Sequence, residues 1–259
     1  MKRILTLTIL MFCSAILFSN SFDYNGIRYE ISSANSEECI LLQNISQKGD
    51  VVIPSVVINA GKEYIVTSVA DYAFNGCVEI TTVAIPGTVK RIGNLAFYAC
   101  DNLKSISIPE GVVSIGEEAF SHCTLNSINL PATITEISGA FWGCVIKEFK
   151  GKFASNDKRC IIIDGKLSMF ALANPNSDTV ELDTTSYSIP NNVTSIGDYA
   201  FCQSGIKNVL IPNSVKSIGM YAFAGCILIL RFARDFPRCS RHCFLQPSRT
   251  ILARFPIRL

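Results

Sequence analysis

Cysteine is the residue of this chain with the most chemistry to offer, and five of its eleven copies keep step. Cys77, Cys100, Cys123, Cys144 and Cys226 each lie three residues after a phenylalanine. Evenly spaced thiols could form a ladder of disulfides or a column of metal ligands. In a stack of strands, equivalent positions sit about 5 Å apart, inside the Cα range of a disulfide. Side chains stacked in parallel, however, point the same way rather than at one another. No C-x-x-C pair and no histidine partner supports zinc. Ser204 takes the same place after Phe201, a replacement that a ligand would not tolerate readily. The expected role is a small buried apolar filler. Cys39, Cys160 and Cys202 have no assigned role, and Cys239 and Cys243 lie near the C-terminus.

The other reactive types are sparse. Of two histidines, His242 is close to the end and His122 adjoins Cys123, and neighbours in a turn point apart, which rules out a Cys–His nucleophile there. Glu117 and Glu118 are the one adjacent acidic pair in the regular part and read as a solvated helical turn; Asp71, Glu118 and Asp198 read as exposed helix faces. There is no glycine-rich phosphate loop and no nucleophile elbow. The chain reads as no enzyme, with no catalytic, cofactor-binding or metal residues and no cofactor.

What positions these residues is a repeat. Ala-Phe recurs at Ala73-Phe74, Ala96-Phe97, Ala119-Phe120, Ala140-Phe141, Ala200-Phe201 and Ala222-Phe223. Around it stands a unit that runs (Leu/Ile)-x-x-(Ile/Val)-x-(Ile/Leu)-Pro-x-x-(Val/Ile)-x-x-Ile-Gly-x-x-Ala-Phe-x-x-Cys, as in IPGTVKRIGNLAFYAC and IPEGVVSIGEEAFSHC. Its first part alternates: Ile106 and Ile108 are apolar, Ser105 and Ser107 polar, which is a short strand with one buried face. Pro86, Pro109, Pro131, Pro190 and Pro212 end it, because a residue without N–H cannot extend a ladder. Val112, Ile115, Ala119, Phe120 and Cys123 then step by three or four, which predicts a helical or 3-10 turn. Gly93, Gly116, Gly197 and Gly219 mark a place that a Cβ would obstruct. One unit cannot bury its own apolar face, so the copies must stack. The fold class is an α/β repeat solenoid, a leucine-rich-repeat-like stack of short parallel strands with helical or 3-10 turns, interrupted by a β-hairpin insert.

The combination IP-x-x-V-x-x-IG-x-x-AF-x-x-C, over about residues 23–226, resembles the BspA-type leucine-rich repeat family of bacterial cell-surface proteins. The opening FDYNGIRYEI and the stretch GDVVIPSVV also look like the start of such proteins. The resemblance implies a secreted or cell-surface location, and contact with an extracellular protein or glycan. It names no ligand.

Residues 1–21 read as a signal peptide: Lys2 and Arg3, an apolar run from Ile4 to Phe18, then small polar residues. Phe12 before Cys13 argues against a lipid-attachment signal. No transmembrane span is expected in the mature chain. The remaining divisions are 22–72 as an N-terminal capping β segment, 73–144 as repeats, 145–188 as a hairpin insert and 189–226 as repeats. The insert is read from Asp164-Gly165 between two apolar runs, a type I′ turn signal.

Residues 227–259 form an atypical Arg-rich tail. They hold seven arginines, no lysine and one acid, a net +6, whereas residues 1–226 hold sixteen basic and twenty acidic residues, a net −4. Three readings stay open: a basic segment for nucleic acid or membrane, an authentic but poorly structured terminus, and a frameshift after Cys226. No nucleic-acid partner is expected for the chain as a whole.

The outward side of the strands is the candidate binding face: Thr82 and Ala84, Ser105 and Ser107, Ser127 and Asn129, Asn208 and Leu210. Repeat proteins bind through such faces. Small residues also simply suit closely stacked strands, and the stripe lacks the aromatic and arginine anchors of a hot spot. Trp142 is the one exposed-aromatic candidate, in a shortened turn where core packing competes.

Overall fold

Each repeat contributes one strand where the alternation predicts it. In the computed structural model these are Ile80–Ala84, Ser105–Ser107, Ser127–Asn129, Glu148–Lys150, Ser186–Ser188 and Asn208–Ile211. The structure describes residues 20–137, 139–171 and 186–226, with the backbone of 229–232, 238–239 and 252–254. The signal peptide and residues 174–178 of the insert therefore fall outside the described residues, apart from Asn20 and Ser21. Pairing is parallel and in register: Thr82 with Ser105, Ala84 with Ser107, Ser127 with Glu148, Ser186 with Asn208. The result is a leucine-rich-repeat-like β-solenoid of about seven turns.

A second ladder runs where no strand was predicted. Arg91–Ile92, Ser114–Ile115 and Glu136–Ile137 pair in parallel, as do Ser195–Ile196 and Ser217–Ile218. Two residues are too few for an alternating pattern to register, yet the isoleucines are buried and tie each coil to the next.

The helical or 3-10 turns are corrected: among the described residues there is no helix. The Ala-Phe segment is a run of turns whose amides bond outward. The N–H groups of Tyr72, Phe74 and Gly76 donate to the carbonyls of Asn94, Ala96 and Tyr98 on the next coil, at 2.9, 2.6 and 2.8 Å. Leu95, Phe97 and Ala99 do the same to Glu117, Ala119 and Ser121. Left-handed backbone at Leu95 (φ 51°), Ala99 (φ 53°), Glu118 (φ 53°) and His122 (φ 59°) interrupts any right-handed helix. Steps of three or four reflect the turning of the coil, not a helical hydrogen-bond pattern.

Ala99 stands where other coils carry Gly76, Gly143 and Gly225, all with positive φ. A left-handed non-glycine residue costs about 1–2 kcal/mol, and glycine returns roughly 0.4–1 kcal/mol to the unfolded chain. Ala99→Gly is therefore expected to raise stability by about 0.5–1 kcal/mol, read from the denaturant midpoint. A loss of stability there would contradict this account of the turn.

Inside, the phenylalanines form two stacks. Phe74, Phe97, Phe120 and Phe141 follow one another at centroid spacings of 5.1, 5.1 and 5.2 Å, and Phe170, Phe201 and Phe223 at 4.7 and 5.0 Å. All seven rings are buried. The insert explains the break. Cys160–Ile163 and Lys166–Phe170 pair antiparallel around Asp164 and Gly165, both with positive φ, as the turn signal predicts. Lys166–Phe170 then runs parallel to Ser195–Ile196, and the Phe170 N–H donates to Ala200. Phe170 thus occupies a spine position without the Ala-Phe signature. Glu148–Lys150, inside the segment read as insert, is still a repeat strand.

At the N-terminal end Ser21–Tyr24, Ile27–Ile31 and Glu38–Leu41 form an antiparallel meander joined to the long strand Lys62–Val69. At the other end the ladders pass beyond Cys226. Ile229–Phe232 pairs parallel with Asn208–Ile211, Leu252–Arg254 pairs with Ile229–Phe232, and Arg238–Cys239 pairs with Ser217–Ile218. The repeat interval persists there, although Ile-Pro and Ile-Gly have gone.

Candidate functional site

The structure distributes the eight predicted face positions over three ladders. Thr82, Ala84, Ser105 and Ser107 share one ladder and are all exposed. Ser127 and Asn129 belong to a second ladder, with Glu148 and Lys150. Asn208 and Leu210 belong to a third, with Ser186 and Ser188, beyond the insert. Leu210 is 44% exposed, the largest apolar residue of the set.

Two members were missed. Asp50 and Val52, on the strand Gly49–Val52, extend the first ladder: Asp50 pairs with Thr82 and Val52 with Ala84. The cue was present, because Val51 and Ile53-Pro54 copy the strand-then-proline pattern of the repeats. Val52 is 69% exposed. The Asp50 carboxylate accepts hydrogen bonds from the Thr81 and Thr82 hydroxyls, both at 2.7 Å. Those bonds hold its carboxyl below the usual range, Thr81 contributing most. The Thr82 hydroxyl is thereby committed to Asp50. On the second ladder Glu148 is paired with Lys150 at 3.1 Å and Lys158 at 3.2 Å, which holds its carboxyl low. The face is uncharged between an acid at one side and an ion-paired cluster at the other.

Asp71 and Asp198 serve the stack. Asp71 Oδ1 accepts the Asn94 N–H at 2.9 Å and Arg91 Nη2 at 2.8 Å; Asn94 Oδ1 accepts the Glu117 N–H at 2.9 Å. Asp198 Oδ1 takes the Met220 N–H at 2.5 Å. Each side chain caps the next coil's turn. A shallow depression of about 280 Å³ lies beside them, lined by Arg91, Asn94, Ser114, Glu117 and Glu136.

The cysteine column fills the turns. The thiols of Cys100, Cys123, Cys144 and Cys226 donate to the carbonyls of Phe74, Phe97, Phe120 and Phe201, at 3.3, 3.1, 3.0 and 2.9 Å. Cys77 does so to Asn44. All are buried free thiols, as are Cys39, Cys160 and Cys202. Burial pushes the Cys77 thiol up to about 11. Ser204 Oγ lies 3.5 Å from Cys226 Sγ, a hydroxyl standing in the same column. Cys123 is buried while His122 is exposed, so the two adjacent side chains do point apart. Trp142 is half-buried, edge-on to His122 at 4.9 Å, and His122 is in turn edge-on to Tyr98 at 5.4 Å. Among the described residues no group of three or more His, Cys, Asp or Glu could hold a metal, and no helix is long and apolar enough to cross a membrane.

A family model described as BspA type leucine rich repeat region matches six copies, over residues 53–149 and 180–252. The second stretch reaches the strand Leu252–Arg254 in the tail. Among solved structures, the pneumococcal vaccine antigen PcpA is 14% identical with a TM-score of 0.50, covering 83% of this chain and 82% of that one; the likeness is one of fold. A leucine-rich repeat protein from Bacteroides ovatus is 24% identical with a TM-score of 0.45, covering 84% of this chain. The chain spans 66% of that protein, just under two thirds. A leucine rich cell surface protein from Faecalibacterium prausnitzii is 20% identical with a TM-score of 0.36, covering 85% of this chain and 77% of that one. No curated protein matches.

Proposed function

The chain belongs to the BspA-type leucine-rich repeat family, and from that premise we propose that it is a secreted or surface-displayed, non-catalytic binding module for an extracellular protein or glycan. The observation that carries this reading is the row of exposed positions Thr82, Ala84, Ser105 and Ser107, held in register by parallel pairing. Paired strands stand about 4.8 Å apart, so the row offers a rigid, closely ruled surface at no cost in ordering. The family is generally non-catalytic, and Asp71 and Asp198 are engaged in capping.

An array of glycans and extracellular-matrix proteins, probed with the full chain, tests it. A saturable ligand is expected. Ser105→Glu and Ser107→Glu place a charge in the middle of the face and are expected to weaken binding about tenfold, with folding intact, since a mispaired buried charge costs at least the ~1.4 kcal/mol that tenfold represents. The competing reading is a spacer solenoid without a ligand, favoured by the lack of aromatic or arginine anchors on that row. It predicts no saturable binding at all.

A further inference from the structure

The strand face is broken into three ladders, whereas the turn face runs on past the insert and collects the aromatic side chains that the strand face lacks. Among the described residues, eight Phe, Tyr and Trp side chains reach solvent at least in part. Five stand on the turns beside the buried spine, Tyr72, Tyr98, Trp142, Tyr199 and Tyr221; the other three are Phe22, Tyr24 and Phe153. Exposed His122 fills the gap between Tyr98 and Trp142, edge-on to both at 5.4 and 4.9 Å. Tyr199 stacks on Tyr221 at 5.2 Å. These two groups close across the insert. The residue after Phe170 is only Ala171, fully buried, and the Trp142 indole N–H faces the sulfur of Cys202 without a full hydrogen bond. Gly139 has no side chain, and the Tyr199 ring lies against it: a Cβ there would be 3.4 Å from Tyr199 Cδ2. Ser121 follows Phe120 as Tyr98 follows Phe97 and Trp142 follows Phe141. It is fully buried at this place in the row, and its hydroxyl has no hydrogen-bond partner.

We propose that this aromatic row is a docking surface for a neutral glycan, a linear chain laid along the solenoid axis with its sugar rings against Tyr98, His122, Trp142 and Tyr199. The proposal rests on the binding-module reading and gives that module a second surface with its own ligand class. A sugar ring has a flat C–H face and a rim of hydroxyls, so it needs apolar ring surface and hydrogen-bonding groups together. Tyr and Trp supply both, as rigid side chains with a polar handle and little rotamer freedom to lose. Glu117 and Glu118 flank the row. Burial, and then Glu117, pushes the Glu118 carboxyl up, while His122 draws it back; both acids also bear on Tyr199. Carboxylates accept hydrogen bonds from hydroxyls and repel sulfate, uronate and phosphate, so the flank selects against acidic glycans and nucleic acid. A folded partner of standard size covers about 800 Å² on each side, which a row one side chain wide does not offer.

Trp142 is the one tryptophan of the chain, so its emission reports on this surface alone. The full chain is titrated with mixed-linkage β-glucan, galactomannan and heparin. A saturable change in emission is expected with a neutral glycan and not with heparin, and salt should alter it little. Tyr98→Ala and Tyr199→Ala are each expected to weaken binding about tenfold, as for an aromatic anchor. His122→Gly takes out the central ring and spares the turn, because His122 has φ 59°, where glycine is at home; about fivefold weaker binding is expected. Ser105→Glu, on the strand face, should leave this binding unchanged. Melting temperatures confirm that the variants fold, and His122→Gly decides the matter if the alanine variants do not. Unchanged affinity in the folded aromatic variants would overturn the proposal, as would silence with both neutral glycans or a stronger response to heparin. A dimer that dissociates on Tyr98→Ala would give the row to a second copy instead. If a glycan is lost with Ser105→Glu but not with the aromatic variants, this surface falls and the binding module stands. No saturable ligand of any kind removes both.

Discussion

Phe120→Ala should cost about 3–5 kcal/mol of stability, the range for emptying a buried phenylalanine site. The ring is fully buried and sandwiched between Phe97 at 5.1 Å and Phe141 at 5.2 Å, nearly parallel to both. Its loss removes contacts on two faces, in a place where the neighbours are pinned. The Phe120 amide donates to Ala140 and its carbonyl accepts the Cys144 thiol, so the backbone cannot close in on the void. In a chain whose coils touch only their neighbours, stability is a sum of coil and interface terms. Removing Phe120 weakens two interfaces at once. For a chain of this size the melting temperature should fall by roughly 6–20 °C. A fall under about 2 °C, corresponding to about 1 kcal/mol or less, would mean that the phenylalanine stack does not bear the solenoid.

Gly116→Ala, like the same change at Gly93 or Gly219, should be among the most damaging additions of a single methyl group, at about 1–3 kcal/mol or above. A Cβ at Gly116 would lie 2.5 Å from Asn94 Oδ1, 2.6 Å from the Asn94 nitrogen and 2.7 Å from the Gly93 carbonyl carbon. Two of these three atoms are main chain and cannot swing aside. The glycine is needed for closeness and not for an unusual φ, which distinguishes it from Gly143 or Gly225. Truncating the side chain in the double variant Asn94→Ala, Gly116→Ala should therefore fail to restore stability. Gly87→Ala is the control, because the nearest atom to its Cβ would be 3.5 Å away, and it should stay within about 0.5 kcal/mol of the parent. Rescue by Asn94→Ala would show that the amide, not the backbone, sets the spacing of the coils.

Much of this was legible because repetition multiplies weak signals. One Ile-x-Ile-Pro is an ambiguous apolar run; five at a common offset define the strands from Ile80 to Ile211. The Ala-Phe pair located the spine, and Gly93, Gly116 and Gly219 were identified by their place in the unit before any contact was known. Gly197 is a weaker case, since the nearest atom to its Cβ would be the mobile Lys166 Cε. What escaped shares a cause: it depended on the neighbouring coil, which a one-dimensional pattern does not contain. Phe74 donates to Ala96 and Phe97 to Ala119, so the spacing that imitates a helix belongs to no helix. Arg91–Ile92 is a strand only because Ser114–Ile115 lies alongside. Phe170 joins the spine through a parallel pairing with Ser195–Ile196 that no Ala-Phe announces. On the candidate face, Thr82 was found but its bond to Asp50 was not, and three strands of the tail kept their register after losing their sequence signature.

For an exported chain, the buried thiols would set a clock on how the protein is made. Once folded, Cys77, Cys100, Cys123 and Cys144 are shut away and hydrogen-bonded to main-chain carbonyls, and a thiol held up near 11, as at Cys77, yields little of the thiolate that oxidants attack. Before folding, the same cysteines have ordinary reactivity and no shelter. In an oxidising compartment the two states have opposite fates: a coil that docks in time keeps its thiol indefinitely, and one that lingers is captured as a disulfide that cannot fit the column. If the chain is exported as proposed, the repeat that makes the fold easy to recognise makes its assembly a race, coil by coil, between closing the stack and losing the thiol.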